Sequence, residues 1–276
     1  MSRVVIVGAG WLGKPLAQSL LQKKIKVSAT RTKMEGVEAL SQLGIPSFLC
    51  DLNQPKELTE QLFQRQCDTI IGCFPPGFRR GQGDEYAHYW GNLVTHAKAA
   101  GVRKIIMVSS TTVYPNRIQI MREQDATYAQ AFGSEEFSSN ARVMLQAEQC
   151  VIDSGLDYVI IRCSGLFGPE RHPSRFATKL SSVSSMAPAN MLHLKDAIGI
   201  IEFALNHLSN EVINATTPKT VSKAEFYAAA ISTMGGEVSL PPINDRPDKE
   251  IVSDRLIELG YQFYYSNTLE ALSDNE

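Results

Sequence analysis

The sequence predicts an α/β fold, a parallel sheet covered by helices on both faces and followed by a smaller α+β lobe, on three observations. Through the first two thirds of the chain, short apolar runs alternate with amphipathic stretches of helical period. A Gly-x-Gly-x-x-Gly run, Gly8 to Gly13, stands directly after the first apolar run. After Cys163 the alternation gives way to a segment rich in Gly, Pro, Ser and Arg.

Strands are predicted at 3–7, 25–29, 46–50, 69–73, 104–109 and 157–163, each a short, largely apolar run and most of them carrying Val or Ile. Between them the apolar spacing predicts helices over 12–23, 37–43, 58–64, 85–100 and 135–154. Gly101 and Gly155 follow two of these helices, where glycine readily takes a left-handed terminating conformation. Repeated strand–helix–strand units imply parallel strands joined by right-handed crossovers. Residues 165–188 read as a long functional loop or lid. Beyond it come a strand at 191–193, a helix at 195–207, a strand at 211–214 and helices at 223–234 and 253–259. Residues 1–163 therefore read as the larger, dinucleotide-binding domain and 164–276 as the smaller substrate lobe, with an approximate boundary that leaves room for the lobes to interleave.

Composition excludes several classes. Apolar residues make up 43% and charged residues 20% of 276, ordinary for a globular chain. A formal net charge of −2 gives no footprint for nucleic acid or an anionic membrane. No run approaches the roughly 18 to 20 apolar residues that span a bilayer, and a cytoplasmic location is expected. The five cysteines lack Cys-x-x-Cys spacing and the five histidines form no ligand-spaced cluster, so neither a disulfide framework nor a metal site is indicated. Cys50, Cys73 and Cys163 end apolar runs and read as small buried hydrophobes.

The glycine run carries the most specific chemistry. After a strand and at the start of a helix, Gly8 permits a tight turn, Gly10 lets backbone approach a pyrophosphate, and Gly13 lets helix pack on sheet. The amides around Trp11 and Leu12 then face an anion with the helix dipole behind them. Where an NAD site usually carries a carboxylate, this chain reads Ala29-Thr30-Arg31-Thr32-Lys33. Arg31 can pair with a 2′-phosphate that a carboxylate would repel, which favours NADP over NAD; the alternative is a pair of solvated loop charges. Asp51-Leu52 follows the third strand, where Asp51 can accept from an adenine amino group or cap the helix that follows. Phe74 and Pro75 open the loop after the fourth strand, at the ligand-binding edge of such sheets, and Arg79 in that loop can meet a phosphate or carboxylate of a substrate or simply be solvated.

The fifth strand ends Val108-Ser109-Ser110-Thr111-Thr112-Val113-Tyr114. Together with the glycine run, Asp51, Arg162-Cys163-Ser164-Gly165-Leu166-Phe167-Gly168-Pro169, His193-Leu194-Lys195-Asp196 and Asn214-Ala215-Thr216, this order resembles the extended short-chain dehydrogenases/reductases, which include the nucleotide-sugar epimerases and dehydratases. The resemblance covers nearly the whole chain. It implies that Ser110 orients a substrate carbonyl, that Ser109 contacts cofactor or caps a turn, and that Tyr114 packs. It also implies a homodimer through the helices at 85–100 and 135–154.

One part of the family pattern is missing. The family's acid/base is a tyrosine four residues before a lysine, and the matching positions here are Asn140 and Met144. Asparagine does not titrate and methionine cannot hold a ribose hydroxyl. Tyr128 is a candidate substitute acid, set against a packing role. His193 titrates near neutrality and is another, set against a histidine bonded to Asp196 or to backbone. Arg162 can bind an anionic substrate or brace the lobes, and Arg171 in the lid is a candidate substrate contact. Two functions remain open: an NAD(P)-binding oxidoreductase or epimerase-like enzyme acting on a small polar carbonyl or sugar-type substrate with non-standard acid/base chemistry, and a catalytically inactive NADP(H)-binding regulator.

Overall fold

The computed structural model describes residues 2–78, 81, 83–233 and 239–274. Its main sheet is built from β1 (Arg3–Val7), α1 (Gly13–Gln22), β2 (Lys26–Arg31), α2 (Met34–Gln42), β3 (Ser47–Leu49), α3 (Leu58–Gln64), β4 (Thr69–Gly72), α4 (Tyr86–Ala99) and β5 (Lys104–Ser110). A two-residue strand β6 (Ile120–Met121) and a one-turn helix α5 (Tyr128–Ala131) lead to α6 (Ser139–Ile152) and β7 (Asp157–Cys163). The predicted strands thus form, with ends shifted by one or two residues. The helix predicted from residue 135 begins at Ser139, because the Ser138 hydroxyl accepts from Ala141 N and caps it there. Gly101 and Gly155 take φ of 77° and 73°, the left-handed exits predicted for α4 and α6.

The rest of the chain adds β8 (Gly165–Phe167), α7 (Ser174–Ala177), β9 (Val183–Ser184), β10 (Met191–His193), α8 (Leu194–His207), β11 (Glu211–Ala215), α9 (Lys223–Thr233), β12 (Ile243–Asn244), β13 (Glu250–Ile251), α10 (Asp254–Glu258) and α11 (Thr268–Leu272). Residues 165–188 are therefore not one long loop: they hold two short strands and a turn of helix.

The sheet has seven strands in the order β11-β7-β5-β4-β1-β2-β3, and every pairing is parallel. This is a Rossmann-type doubly wound sheet, whose order reverses between β1 and β4 and so opens a crevice at their C-terminal ends. One strand crosses the expected division. β11 pairs with β7 from Glu211↔Val159 to Ala215↔Cys163, so a segment placed by sequence in the smaller lobe completes the larger sheet. The two lobes interleave, and the smaller one rests on short pairings, β10 with β8, β12 with β9 and β13 with β6.

Burial on both faces explains the near-continuous apolar strands. One face packs Val5, Ile70, Ile105 and Ile160 against α4 and α6; the other packs Val4, Ile6, Ile71, Ile106 and Ile161 against α1 and α8. A third, smaller cluster around Phe167, Phe226 and Tyr265 holds the C-terminal lobe. Cys50 and Cys163 are 8% and 4% exposed, and burial pushes both thiols up to about 12, which leaves them inert. No helix among the described residues is long and apolar enough to cross a membrane.

Candidate functional site

The glycine loop sits in the crevice at the end of β1, and close contacts fix its shape. Gly8 has φ of 90°, and a Cβ there would fall 2.8 Å from Phe74 N, so only glycine lets β1 turn beneath the loop after β4. A Cβ on Gly13 would fall 2.8 Å from Gly8 O, where α1 closes onto the strand. Thr30, from the end of β2, holds the turn by accepting Gly8 N on Oγ1 at 3.2 Å and Ala9 N on its carbonyl at 3.0 Å. The first bond into α1 runs from Lys14 N to Gly10 O, and the amides of Trp11 and Leu12 ahead of it take no partner among the described residues. Two free amides at a helix start, beside a surface where a side chain has no room, suit a pyrophosphate. The Leu12 side chain itself is buried on the core side, so only its backbone faces the crevice.

Arg31 lies against this loop. Its Nη1 donates to Ala9 O at 2.9 Å, and a Cβ on Gly36 would come within 2.7 Å of its Nε, so Gly36 makes room for the guanidinium. Arg31, Lys14, Gly10 and Trp11 line a cavity of about 630 Å³, with Pro169 and Glu170 across it. Lys14 was not singled out by sequence. Its only signal was adjacency to Gly13.

The other residues expected at the cofactor make contacts within the protein. Asp51 accepts Asn53 N at 3.0 Å inside its own turn and does not cap the next helix, since α3 begins only at Leu58 with Glu57 at its N-cap. Leu52 is 8% exposed, with its carbonyl bound by Asn92 Nδ2. Phe74 stacks on Trp90 with ring centroids 4.8 Å apart, while Pro75 is exposed at the crevice rim. Arg79 lies outside the described residues.

Of the hydroxyl run, only Ser110 and the threonines after it face outward. The Ser110 hydroxyl accepts Thr112 N at 3.2 Å and lies 2.9 Å from Thr112 Oγ1. Ser109 points the opposite way along the strand and donates to Glu148 Oε1 at 2.6 Å, which corrects its expected cofactor contact. Glu148 is in turn paired with Arg162 at 2.8 Å, both almost fully buried. Arg162 also donates to Tyr114 Oη, Glu123 O and Ala126 O. All of its N–H donors are thereby used, so Arg162 is a brace and not a substrate contact. Burial works against its charge, and the Glu148 carboxylate and the Tyr114 hydroxyl together more than offset that, holding the guanidinium above its ordinary value. Tyr114 packs as expected, with its hydroxyl donating to Asn214 Oδ1 at 2.5 Å. Burial pushes that phenol up to about 12 despite the adjoining guanidinium.

The substitute acids fare differently. His193 is 2% exposed, edge-on to Phe167 and Tyr265, and its Nδ1 accepts Lys195 N at 3.2 Å, which caps α8. Burial lowers its pKa to about 4, so it is neutral at pH 7 with the proton on Nε2, and its expected titration near neutrality is corrected. Its partner is backbone, not Asp196, whose carboxylate accepts Tyr264 N, Tyr265 N and the Tyr261 hydroxyl. Tyr128 starts α5 half-buried against the core, with no hydrogen bond to Ser110. Asn140 is exposed on α6 and Met144 is 1% exposed in the core.

The segment after β8 meets the glycine loop directly. Trp11 Nε1 donates to Pro169 O at 2.8 Å, and the Arg171 guanidinium lies 5.2 Å above the indole. Gly168 fits between them and α8: a Cβ there would lie 3.0 Å from Leu194 Cβ and 3.3 Å from His193 Nε2.

A family model described as NAD(P)H-binding matches residues 8–188. The chain belongs to this NAD(P)H-binding family. Protein YeeZ of Escherichia coli (strain K12) is 30% identical over 286 residues, covering 98% of each chain. Among solved structures, the NAD complex of dTDP-glucose 4,6-dehydratase from Bacillus anthracis superposes with a TM-score of 0.79 at 15% identity, over 100% of this chain and 95% of that one. The Thermus thermophilus UDP-glucose 4-epimerase complex with NAD gives 0.77 at 16%, over 99% and 98%. A putative NAD-dependent epimerase/dehydratase from Methylobacillus flagellatus gives 0.76 at 19%, over 99% and 97%. Within the NAD(P)H-binding family, this chain thus has the epimerase/dehydratase-type fold of the extended short-chain dehydrogenases/reductases, as its motifs implied.

Proposed function

We propose that the protein is an NADP(H)-dependent oxidoreductase or epimerase-like enzyme acting on a small polar carbonyl or sugar-type substrate. The observation that carries the cofactor choice is Arg31, held on Ala9 O beside the glycine loop and lining the same cavity as Lys14. A 2′-phosphate there meets two cations, and the end of β2 offers no carboxylate for a ribose diol. Gly10, Trp11 and Leu12 would hold the pyrophosphate. The bound nicotinamide supplies or accepts hydride.

Ser110 stands at the end of β5 in the position that the family uses to orient a carbonyl. Its oxygen already accepts Thr112 N, so its O–H is free to donate to a substrate oxygen when Thr112 Oγ1 acts as donor. The proton for the reduced oxygen comes from Tyr128 or water, since His193 is neutral and buried and α6 offers only Asn140 and Met144.

That last feature favours a second reading, an NADP(H)-binding protein that has lost turnover. Calorimetry with NADPH and NADH, on wild type and Arg31→Asp, tests the cofactor choice. Wild type should prefer NADPH by at least about tenfold and the variant should lose that preference, whereas equal affinities would refute it. NADPH oxidation across ketose, aldehyde and nucleotide-sugar substrates separates the readings. Turnover lost in Ser110→Ala and reduced in Tyr128→Phe supports the enzyme; tight binding with no turnover on any of them supports the regulator.

A further inference from the structure

The opposite edge of the sheet holds a second cavity. It measures about 430 Å³ and lies at the N-terminal ends of β1 and β2, between the C-terminal ends of α1 and α3. Arg3, Lys24, Lys26 and Arg65 line it, no carboxylate does, and its inner wall is apolar, including Ile25 and Pro46.

Three other cations on this edge have acidic partners. Lys23 is paired with Glu202, Arg103 with Asp68 and Lys104 with Asp157. None of the four cations lining the cavity has an acidic partner among the described residues. The nearby Asp68 carboxylate is already committed to Arg3 N and Thr69 Oγ1. Helix dipoles account for Lys24 and Arg65, which follow α1 and α3, but not for Arg3 and Lys26, which begin strands. Arg65 lies 4.2 Å over the Phe48 ring, and burial draws its guanidinium below the ordinary arginine value with no carboxylate to offset the cost. Lys24 occupies the left-handed exit of α1 at φ 60°, a place glycine usually takes.

We infer that this cavity is a binding site for a small amphiphilic anion, an aryl or alkyl body carrying a phosphate or carboxylate group. The body lies on the apolar wall and the anionic group supplies the missing counter-charge. The volume suits one ring system and its charged group. The site stands at the far end of the same strands, β1 and β2, that deliver Gly8 and Arg31 to the cofactor crevice, and it is independent of the function proposed above.

The test is calorimetric titration of the full chain with 1-naphthyl phosphate, 1-naphthol and inorganic phosphate, with and without saturating NADPH. Naphthyl phosphate should bind saturably, more tightly than either fragment, and NADPH should not displace it. Lys24→Glu/Lys26→Glu, two exposed positions, should weaken it by about tenfold or more while circular dichroism and NADPH affinity stay unchanged. Arg65→Gln should weaken it as well. Equal binding to wild type and the double variant, displacement by NADPH, no saturable binding, or naphthol binding as tightly as its phosphate would each overturn the assignment.

Discussion

The Ser109 hydroxyl donates to Glu148 Oε1 at 2.6 Å, and these side chains are only 4% and 2% exposed. Arg162 holds the other side of that carboxylate, so the strand end carrying Ser110 rests on a buried ion pair. Removing one partner strands the other charge in the core. Glu148→Gln should therefore cost about 3–5 kcal/mol in urea unfolding, while the paired change Glu148→Leu/Arg162→Met should cost clearly less than the two single changes summed. Strict additivity would mean that the pair contributes nothing as a unit.

His193 gives the fold an acid-side weakness. Its pKa falls from 6.5 to about 4 on folding, so between those values the unfolded chain binds a proton that the folded chain does not. Its contribution is complete above pH 6.5 and is lost as pH falls toward 4, by at most about 3 kcal/mol. Asparagine keeps an acceptor for Lys195 N but does not titrate. His193→Asn should flatten the stability profile between pH 6.5 and 4 relative to wild type, measured by denaturant midpoints; parallel profiles would contradict the assignment.

These two residues also show where sequence stops being informative. Apolar runs located the strands because a sheet buried on both faces needs little else, and the glycine run located the crevice because its spacing is local. Arg162 at a strand end looks like an anion binder, since nothing in its spacing reveals Glu148, 14 positions earlier on α6 and brought beneath it only by packing. His193 looks titratable for the same reason: Phe167 and Tyr265, which desolvate it, come from distant segments. β11 was legible as a strand, but its place beside β7 depends on a pairing 52 residues away, as between Val159 and Glu211. Lys14 and Thr30 are ordinary residue types whose roles appear only once α1 and β2 converge.

The Trp11–Pro169 hydrogen bond joins the glycine loop to the segment that the sequence suggests as a lid. Trp11→Phe keeps a ring beneath Arg171 and removes only the indole N–H. The lost bond is worth roughly 0.5–1.5 kcal/mol, so the lid should open about three- to tenfold more often. Trypsin cleavage after Arg171 and Arg175 under native conditions should accelerate by that factor, and an unchanged rate would show that this bond does not hold the segment.

The glycine run makes two separable demands, and alanine distinguishes them. At Gly13 an added Cβ would meet Gly8 O at 2.8 Å and Ile6 Cγ2 at 3.2 Å, both in the packed junction of α1 with β1. Gly13→Ala should therefore lower stability by about 1–3 kcal/mol and weaken NADPH through the displaced loop. At Gly10 the nearest atom to an added Cβ is Arg31 Nη1 at 3.9 Å, so the apo fold has room. That space is the approach to the anion-facing amides, and a methyl group there stands where the pyrophosphate would lie. Gly10→Ala should keep the wild-type melting temperature within about 2 °C and lose NADPH binding by about tenfold or more. If Gly10→Ala binds NADPH normally, the pyrophosphate does not lie on this loop, and the cofactor geometry proposed for Arg31 and Lys14 falls with it.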